Sequence, residues 1–200
     1  SKPVMEGKGL LFKIYADIDV FDIELNTLDV EEFIRTVKAL EPTFGGINLE
    51  DIKAPQCFEI ERRLKKELNI PIMHDDQHGT AIISSAALLN AVELQGKELS
   101  TIKIVVSGAG ASAMACCDLY IRLGAKVENF VMFDSKGAIT KSRKDLDAMK
   151  QRFATSRKID SLTDAMKGAD VFIGLSKGGI VDAKMLKGMA KNPIVFALAN

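Results

Sequence analysis

The feature that most constrains the fold is an unbroken run of strand, glycine turn and helix between residues 102 and 123. Residues 102–107 are mostly apolar and rich in β-branched side chains, which predicts a buried strand. The turn Gly108-x-Gly110-x-x-Ala113 follows at once, and an alanine-rich helical pattern then runs to Gly124. A second apolar strand at 130–133 ends on Asp134. Strands that alternate with helices in this way predict a parallel sheet with helices on both faces.

The glycine turn has the spacing of a dinucleotide-binding loop. Gly108 permits a tight turn, Gly110 lets the backbone approach a pyrophosphate, and Ala113 is small enough for close packing of helix on strand. Ala111 and Ser112 complete the first helical turn, whose free N–H groups would meet the phosphates. We therefore predict that these five residues bind a cofactor, although a glycine-rich turn without a nucleotide is the alternative.

The end of the second strand supplies the next candidate. Asp134 follows Gly110 by 24 positions (134 minus 110), where a carboxylate can accept hydrogen bonds from the ribose hydroxyls. Ser135 and Lys136 come directly after it and could tolerate or attract a 2′-phosphate. The sequence thus leaves NAD and NADP open as the cofactor.

The remaining pattern divides the chain into two parts. Helices near 163–167 and 183–190 alternate with strands at 171–175 and 194–198, so we predict a Rossmann-like, doubly wound parallel sheet over residues 98–200. Residues 1–97 are predicted to form a smaller α/β domain that carries the substrate and metal residues. The polar segment 95–101 is taken as the boundary.

Within the first part, local signals predict an alternation of short elements. We expect a helix at 9–15, a strand at 17–25 with a bulge at Phe21, and a helix capped by Asp29 with Glu32 three residues later. A strand at 47–49 and a helix opened by Pro55 should follow, the helix burying a stripe of Ile60, Leu64 and Leu68. A turn at 74–76 and a long helix at 78–94, apolar nearly all round and buried between two layers, should complete this part.

Two pairs of adjacent carboxylates follow the short apolar strands of this part. Glu50 and Asp51 come after residues 47–49, and Asp75 and Asp76 come after residues 70–73. Three or four carboxylates at neighbouring strand ends suit Mg²⁺ or Mn²⁺, which take oxygen ligands, and three protein oxygens would leave room for a chelating hydroxy acid. Taken one pair at a time, such residues are ordinary solvated loop charges.

The two histidines and the three cysteines do not support a zinc site. No Cys/His spacing of the kind that binds zinc is present. His74 and His78 could be metal ligands, but lone histidines beside a helix start are more often capping or packing residues. Three cysteines without a disulfide framework fit a reducing compartment, and we predict a cytoplasmic protein.

Composition excludes several partners. The chain has 27 Lys and Arg residues and 27 Asp and Glu residues, so it has no excess of positive charge that would favour binding to a nucleic acid or to an anionic lipid surface. No apolar run approaches the ~20 residues of a membrane span, which predicts no membrane partner. We expect both ends of the sequence to be cuts within a longer protein.

Taken together, four segments of the chain resemble the malic enzyme family, most closely its shorter bacterial and archaeal malate oxidoreductases. They are Glu50-Asp51, His-Asp-Asp-Gln-His-Gly-Thr at 74–80, the glycine turn at 108–113 and Phe-Asp-Ser-Lys-Gly at 133–137. The likeness extends over essentially the whole chain, from residues 3–8 to residues 196–200. It implies oxidation of L-malate with NAD⁺ or NADP⁺ and loss of CO₂ to give pyruvate, in a homodimer or larger homo-oligomer.

The resemblance also assigns roles to individual residues. It matches Glu50, Asp51 and Asp76 to three metal ligands for Mg²⁺ or Mn²⁺. It matches Lys8 to a catalytic lysine and Asp75 to a carboxylate beside that lysine. Asn200 matches an asparagine that contacts substrate, and we group it with the cofactor-binding residues. The family's catalytic tyrosine and a substrate-binding arginine would lie before Ser1, and a further asparagine would lie after Asn200, so we expect this segment to hold only part of a site.

Two other functions remain open on the sequence. An amino-acid dehydrogenase of similar two-domain plan would use the same glycine turn but would not need the acidic cluster. A nucleotide-binding module without turnover, for sensing or regulation, would need only the second part of the chain. A requirement for Mg²⁺ or Mn²⁺ separates the leading hypothesis from the amino-acid dehydrogenase.

Overall fold

The structure, a computed structural model, describes residues 2–199 and consists of two compact units. The first extends to Asp76 and the second begins at Gln77. The first unit contains the following elements in chain order: helix α1 (Lys2–Ala16), helix α2 (Val30–Leu40), strand β1 (Ile47–Leu49), helix α3 (Gln56–Glu67) and strand β2 (Ile72–His74). A 3₁₀ turn, Glu41–Thr43, follows α2 directly and contains Pro42.

The core of the first unit lies between α2, α3 and a two-stranded parallel sheet. Strand β1 pairs with β2 in a register that sets Leu49 opposite His74, so the residues that follow each strand are neighbours. The predicted stripe of Ile60, Leu64 and Leu68 is buried in this core. The predicted cap is also confirmed, because the Asp29 side chain accepts from the backbone N–H of Glu32.

Two predictions for the first unit are wrong in their extent or type. The first helix begins at Lys2, not near residue 8, and Pro3 in its first turn is the signal that marks this start. The segment 17–25 is not a strand, although its side chains alternate. It pairs with no other strand of the described chain, and alternation alone does not provide the partner that a strand requires.

The second unit is built on a five-stranded sheet. Its elements after helix α4 (Asp75–Leu94) are strand β3 (Ile104–Ser107), helix α5 (Ala111–Arg122), strands β4 (Phe130–Asp134) and β5 (Gly137–Ala138), helices α6 (Ala148–Gln151) and α7 (Leu162–Met166), strand β6 (Val171–Gly174), helix α8 (Ala183–Lys187) and strand β7 (Ile194–Ala197). A further 3₁₀ turn, Val127–Asn129, precedes β4.

The sheet has the order β5-β4-β3-β6-β7 and is parallel except for the short β4–β5 pair. Ile104 and Val106 of β3 face the core that contains residues of α4 and α5. Val105 faces the opposite core, which contains residues of α7 and α8. Helices therefore cover both faces, and the predicted doubly wound, Rossmann-like α/β fold is confirmed.

The position of helix α4 accounts for the difference between the boundary in the structure and the boundary predicted from the sequence. The chain divides between Asp76 and Gln77, whereas the sequence placed the boundary in the polar segment 95–101. Ala81, Leu88 and Val92 of α4 pack in the core of the second unit, so nearly the whole helix belongs there.

The predicted long helix is present and ends at Leu94 as expected, but it begins three residues earlier than predicted, and the predicted turn at 74–76 is wrong. Asp75 and Asp76 form the first turn of α4, where carboxylates are favoured by the helix dipole. The helix is also not buried all round, since Ile82 and Ile83 are 59% and 69% exposed in the described chain. None of the helices described between residues 2 and 199 combines the length and the apolarity needed to cross a lipid bilayer.

Candidate metal centre and dinucleotide loop

Three carboxylates converge in the first unit, after the ends of β1 and β2. Glu50, Asp51 and Asp76 each offer one oxygen, and the three oxygens lie within 4.8 Å of one another. The register of β1 and β2 produces this meeting, because it aligns the ends of the two strands. The structure thus brings together the three residues that the resemblance matches to metal ligands.

The backbone conformation of Asp51 explains how two consecutive residues, Glu50 and Asp51, can both belong to the three-carboxylate group. Neighbouring strand residues point to opposite faces, so Glu50 and Asp51 could not converge if β1 continued. Asp51 has a φ of +56°, in the left-handed region that aspartate adopts more readily than most residues. The chain therefore turns directly after Glu50.

Lys8 of α1 lies beside this cluster. Its Nζ is 3.1 Å from Oε2 of Glu50, and it also donates to Oδ2 of Asp75. Asp75 is thus the carboxylate that pairs with the lysine, and it is not a member of the three-carboxylate group. The two adjacent aspartates of α4 consequently have different neighbours.

Burial and charge act in opposite directions on the lysine and on Glu50. Burial raises the pKa of Glu50, and it does so against the effect of Lys8, while the nearby Asp76 and Asp75 raise it further. Burial would lower the pKa of Lys8, but hydrogen bonds with Asp75 and Glu50 outweigh it and the pKa is raised. Lys8 therefore carries its proton in this arrangement.

Behind Asp76 lies a buried pair that the sequence did not identify. His74 is fully buried, and its Nε2 is 3.8 Å from Oδ2 of Asp76. The backbone N–H of His74 donates to Oε1 of Glu61, 3.1 Å away. Nothing in the local pattern of α3 distinguishes Glu61 from the exposed acids around it, because the contact with β2 is tertiary.

The donor set fits a hard divalent cation. It consists of carboxylate oxygens only, with no cysteine or histidine in the group, which matches the ligands of Mg²⁺ or Mn²⁺ and not those of zinc. A cavity of about 1120 Å³ in the first unit has Lys8, Glu50 and Asp51 in its wall. This cavity has room for a small carboxylic acid next to the carboxylates.

In the second unit, the structure fixes Gly108 as a position that requires glycine. Its φ is +124°, and a Cβ there would lie 3.1 Å from both C and O of Leu175. The backbone is held on both sides, since N–H of Gly108 donates to O of Phe133 and N–H of Leu175 donates to O of Ser107. The turn therefore lies against the ends of β4 and β6.

Gly110 has a different role in the same turn. It is the N-cap of α5 and provides no side-chain cap, and a Cβ built on it would meet nothing within 4 Å. The space in front of the helix N-terminus is thus open to a ligand, with Ala111 and Ser112 in the first helical turn. Ala113 is 1% exposed and packs in the core, as expected for a close helix–strand contact.

Asp134 lies at the end of β4, but its carboxylate already has cationic partners. Arg143 donates from both terminal nitrogens to the two oxygens, at 2.8 and 3.0 Å, and Lys150 Nζ lies 3.2 Å from Oδ2. The Lys136 backbone N–H also donates to Oδ1. The Arg143 guanidinium is the main reason that the pKa of Asp134 is lowered to about 2. The sequence analysis did not identify Arg143 and Lys150, because their contacts with Asp134 form only when the chain folds.

Asn200, which the resemblance matches to a substrate-binding asparagine, lies outside the described residues. The remaining predicted site residues are all described, five in the first unit and six in the second. The five are Lys8, Glu50, Asp51, Asp75 and Asp76. The six are Gly108, Gly110, Ala111, Ser112, Ala113 and Asp134.

Comparison with known proteins identifies two family models in the chain. Residues 77–200 match the malic enzyme NAD-binding domain, and residues 1–65 match the malic enzyme N-terminal domain. The chain is 54% identical over its whole length to an NAD-dependent malic enzyme of Rhizobium meliloti, of which it covers 26%. It is 52% identical over its whole length to an NADP-dependent malic enzyme of Halomonas elongata, of which it covers 47%.

A solved structure gives the same relationship in three dimensions. An NAD-dependent malic enzyme of Thermotoga maritima superposes with a TM-score of 0.92 at 45% identity, and the match covers 100% of this chain and 54% of that one. The chain therefore spans between about a quarter and about half of the proteins it resembles.

Proposed function

The chain belongs to the malic enzyme family, and we propose that the whole protein oxidises and decarboxylates L-malate. The products would be pyruvate, CO₂ and reduced NAD or NADP, and the reaction would need Mg²⁺ or Mn²⁺. The observation that carries this proposal is the group of three carboxylates within 4.8 Å, with Lys8 beside it, in a chain that also has a dinucleotide loop. A nucleotide-binding module without turnover would have no use for such a group.

Glu50, Asp51 and Asp76 would hold the divalent cation. Their carboxylates supply three oxygens, which leaves positions for two oxygens of malate and for water. When bound, the cation would supply Lewis-acid polarisation of the oxygen on C2 of malate. The side chain of Glu50 is almost fully buried, which would limit competition from water for its oxygens.

Lys8 would act on the hydroxyl proton of malate. Hydride leaves C2 for the nicotinamide while a base accepts the proton from the C2 hydroxyl, and the electron pair of that O–H bond forms the ketone. Lys8 needs to be neutral to accept this proton, and Asp75 and Glu50 oppose that in the present arrangement. Engagement of Glu50 by a cation would remove one of these two opposing charges. Asp75 would then be the group that keeps the lysine in position.

The loss of CO₂ breaks the bond between C3 and the carboxylate next to it. The electron pair of that bond forms a double bond between C2 and C3, and the π pair of the ketone moves onto the C2 oxygen. The resulting enolate of pyruvate is then protonated at C3. The resemblance matches the proton donor to a tyrosine before Ser1, so we assign no residue of this chain to that step.

The second unit would bind the dinucleotide through its glycine turn. The N–H groups of Ala111, Ser112 and Ala113 are at the N-terminus of a twelve-residue helix, which favours a pyrophosphate. Asp134 would contact the adenosine ribose, with Arg143 and Lys150 next to it. The cations favour a 2′-phosphate and the carboxylate favours the bare hydroxyl, so we propose that both NAD and NADP are accepted, with the preference decided by this cluster.

The test is reduction of NAD⁺ or NADP⁺ by L-malate in the full-length protein, followed by absorbance of the reduced nicotinamide. We expect turnover with Mn²⁺ or Mg²⁺, pyruvate as product, loss of turnover on chelation and recovery when the cation is returned. Failure to reduce either cofactor would contradict the proposal. Reduction with an amino acid as substrate and without a divalent cation would favour an amino-acid dehydrogenase instead.

We further propose that the protein works in the cytoplasm as a homodimer or larger homo-oligomer, with small molecules as its other partners. The absence of a disulfide framework supports the compartment, since the three cysteines are free and buried in the described chain. Light scattering of the full-length protein tests the assembly, and a monomer would contradict it.

A further inference from the structure

A buried acid and a buried histidine lie behind Asp76, and neither belongs to the group of carboxylates that would hold a cation. Glu61 of α3 is 7% exposed, and His74 at the end of β2 is fully buried. Glutamate is rarely buried to this extent unless its charge is paired. Lys65, one helical turn later, supplies that pairing, with Nζ 2.8 Å from Oε1 of Glu61.

Glu61 connects α3 to the junction between β2 and α4. Its Oε1 accepts a hydrogen bond from the backbone N–H of His74 at 3.1 Å. His74 is the last residue of β2, and α4 begins at the next residue. A buried backbone N–H that loses its acceptor destabilises its surroundings, so this bond fixes the position from which Asp75 and Asp76 project.

His74 connects the same junction to the side chain of Asp76. Its Nε2 lies 3.8 Å from Oδ2 of Asp76, which is near enough for electrostatic contact. The imidazole is fully buried and therefore has little freedom to move, whereas the neighbouring side chain of Asp76 is 44% exposed. The histidine therefore restricts the orientations of Asp76.

We propose that Glu61 and His74 are positioning residues for the divalent cation. Glu61 holds the β2–α4 junction through the backbone of His74, and His74 holds the carboxylate of Asp76 toward Glu50 and Asp51. This inference rests on the proposed metal site at those three carboxylates. It assigns to this buried pair an effect on the affinity for the cation.

The first test compares Glu61→Ala with Glu61→Gln in the full-length protein, with Mn²⁺ binding measured by titration calorimetry. Glu61→Ala removes the acceptor for the His74 N–H, and we expect the Kd for Mn²⁺ to rise roughly tenfold or more, as for other residues that orient metal ligands. Glu61→Gln keeps an oxygen that can accept, and we expect a change of about twofold at most. Glu59→Gln, an exposed acid on the same helix, is the matched control.

Kinetics provide a readout that a general loss of structure would not give. With Glu61→Ala, we expect the KM for Mn²⁺ to rise by a larger factor than kcat at saturating Mn²⁺ falls, while the affinity for the dinucleotide stays within about twofold. The second variant, His74→Phe, keeps the volume of the ring and removes its nitrogens, and we expect the same rise in the Kd for Mn²⁺.

Three results would overturn the inference: wild-type Mn²⁺ affinity in Glu61→Ala, equal loss in Glu61→Gln and Glu61→Ala, or wild-type affinity in His74→Phe. If Glu61→Ala does not fold, His74→Phe decides. A wild-type protein that binds no Mn²⁺ would instead refute the proposed metal site on which the inference rests.

Discussion

Lys8 and Glu50 form an ion pair in which Nζ and Oε2 are 3.1 Å apart and the side chain of Glu50 is only 5% exposed. The same carboxylate belongs to the three-carboxylate group. A lysine and a divalent cation would therefore share Glu50, and the arrangement couples the proposed base to the proposed metal site.

We expect Lys8→Met to lower kcat by about 10²–10⁴-fold, the range for loss of a positioned acid or base. Affinity for Mn²⁺ should be retained or increased, because the variant removes a cation that competes for Glu50. Steady-state kinetics and Mn²⁺ titration check the two expectations. Lys2 is an exposed lysine of the same helix, so Lys2→Met is the control. A wild-type kcat in Lys8→Met would contradict the role of Lys8 as a base.

Asp76→Asn should abolish metal-dependent turnover and leave dinucleotide binding largely intact. The substitution keeps the size of the side chain but removes the charge from one of three oxygens that would face the cation. Fluorescence titration with the reduced cofactor measures the second property. Asp19→Asn, at an exposed position of the same unit, should behave as the wild type. Equal loss of metal and dinucleotide binding would argue against two separate sites.

Local signals in the sequence were sufficient for much of this fold. The Asp29 cap and the stripe of Ile60 and Leu64 depend on residues within one or two helical turns, and both are present. The strand predicted at 17–25 failed because strand formation depends on a distant partner. The helix start at Asp75 was missed because adjacent aspartates read as a turn, although they also suit the first turn of a helix.

The candidate site divides in the same way. Residue type and spacing in the sequence indicated Glu50, Asp76 and the glycine turn. In the structure the proposed metal ligands lie close to one another, and so do the residues of the glycine turn. The contacts of Arg143 with Asp134 and of Glu61 with His74 could not be predicted, since each joins elements through tertiary structure. Sequence patterns thus located the residues that would touch ligands and missed the residues that hold them.

The two glycines of the loop should respond differently to alanine. Gly108→Ala places a Cβ 3.1 Å from the backbone of Leu175 at a φ of +124°, and we expect a loss of stability of about 1–3 kcal/mol. Gly110→Ala meets no atom within 4 Å, so stability should change by less than about 0.5 kcal/mol while dinucleotide affinity falls. Thermal unfolding and cofactor titration separate these effects. A stable Gly108→Ala protein, or unchanged affinity in Gly110→Ala, would contradict the roles given to these positions.

Asp134→Ala should weaken binding of NAD more than binding of NADP. It removes an acceptor for the ribose hydroxyls and frees Arg143 and Lys150, which lie 2.8 and 3.2 Å from that carboxylate, to interact with a 2′-phosphate. Titration of both cofactors gives the ratio of affinities, and Arg143→Gln is the matched variant, since it should shift the ratio toward NAD. An unchanged affinity for NAD in Asp134→Ala would contradict the ribose contact.

The Asp134–Arg143 pair should also make the second unit sensitive to acid. The pKa of Asp134 falls from 3.8 to about 2 in the folded chain, so the pair stabilises the fold above pH 4 and this contribution disappears as the pH falls toward 2. The lowered pKa arises mainly from Arg143, with further contributions from the Lys136 backbone N–H and from Lys150. Hydrogen exchange of the β4 amides between pH 4 and pH 2 should therefore show a steeper loss of protection in the wild type than in Asp134→Asn. Asp160→Asn, an exposed position of the same unit, should retain the wild-type slope, and parallel slopes for all three proteins would refute the assignment.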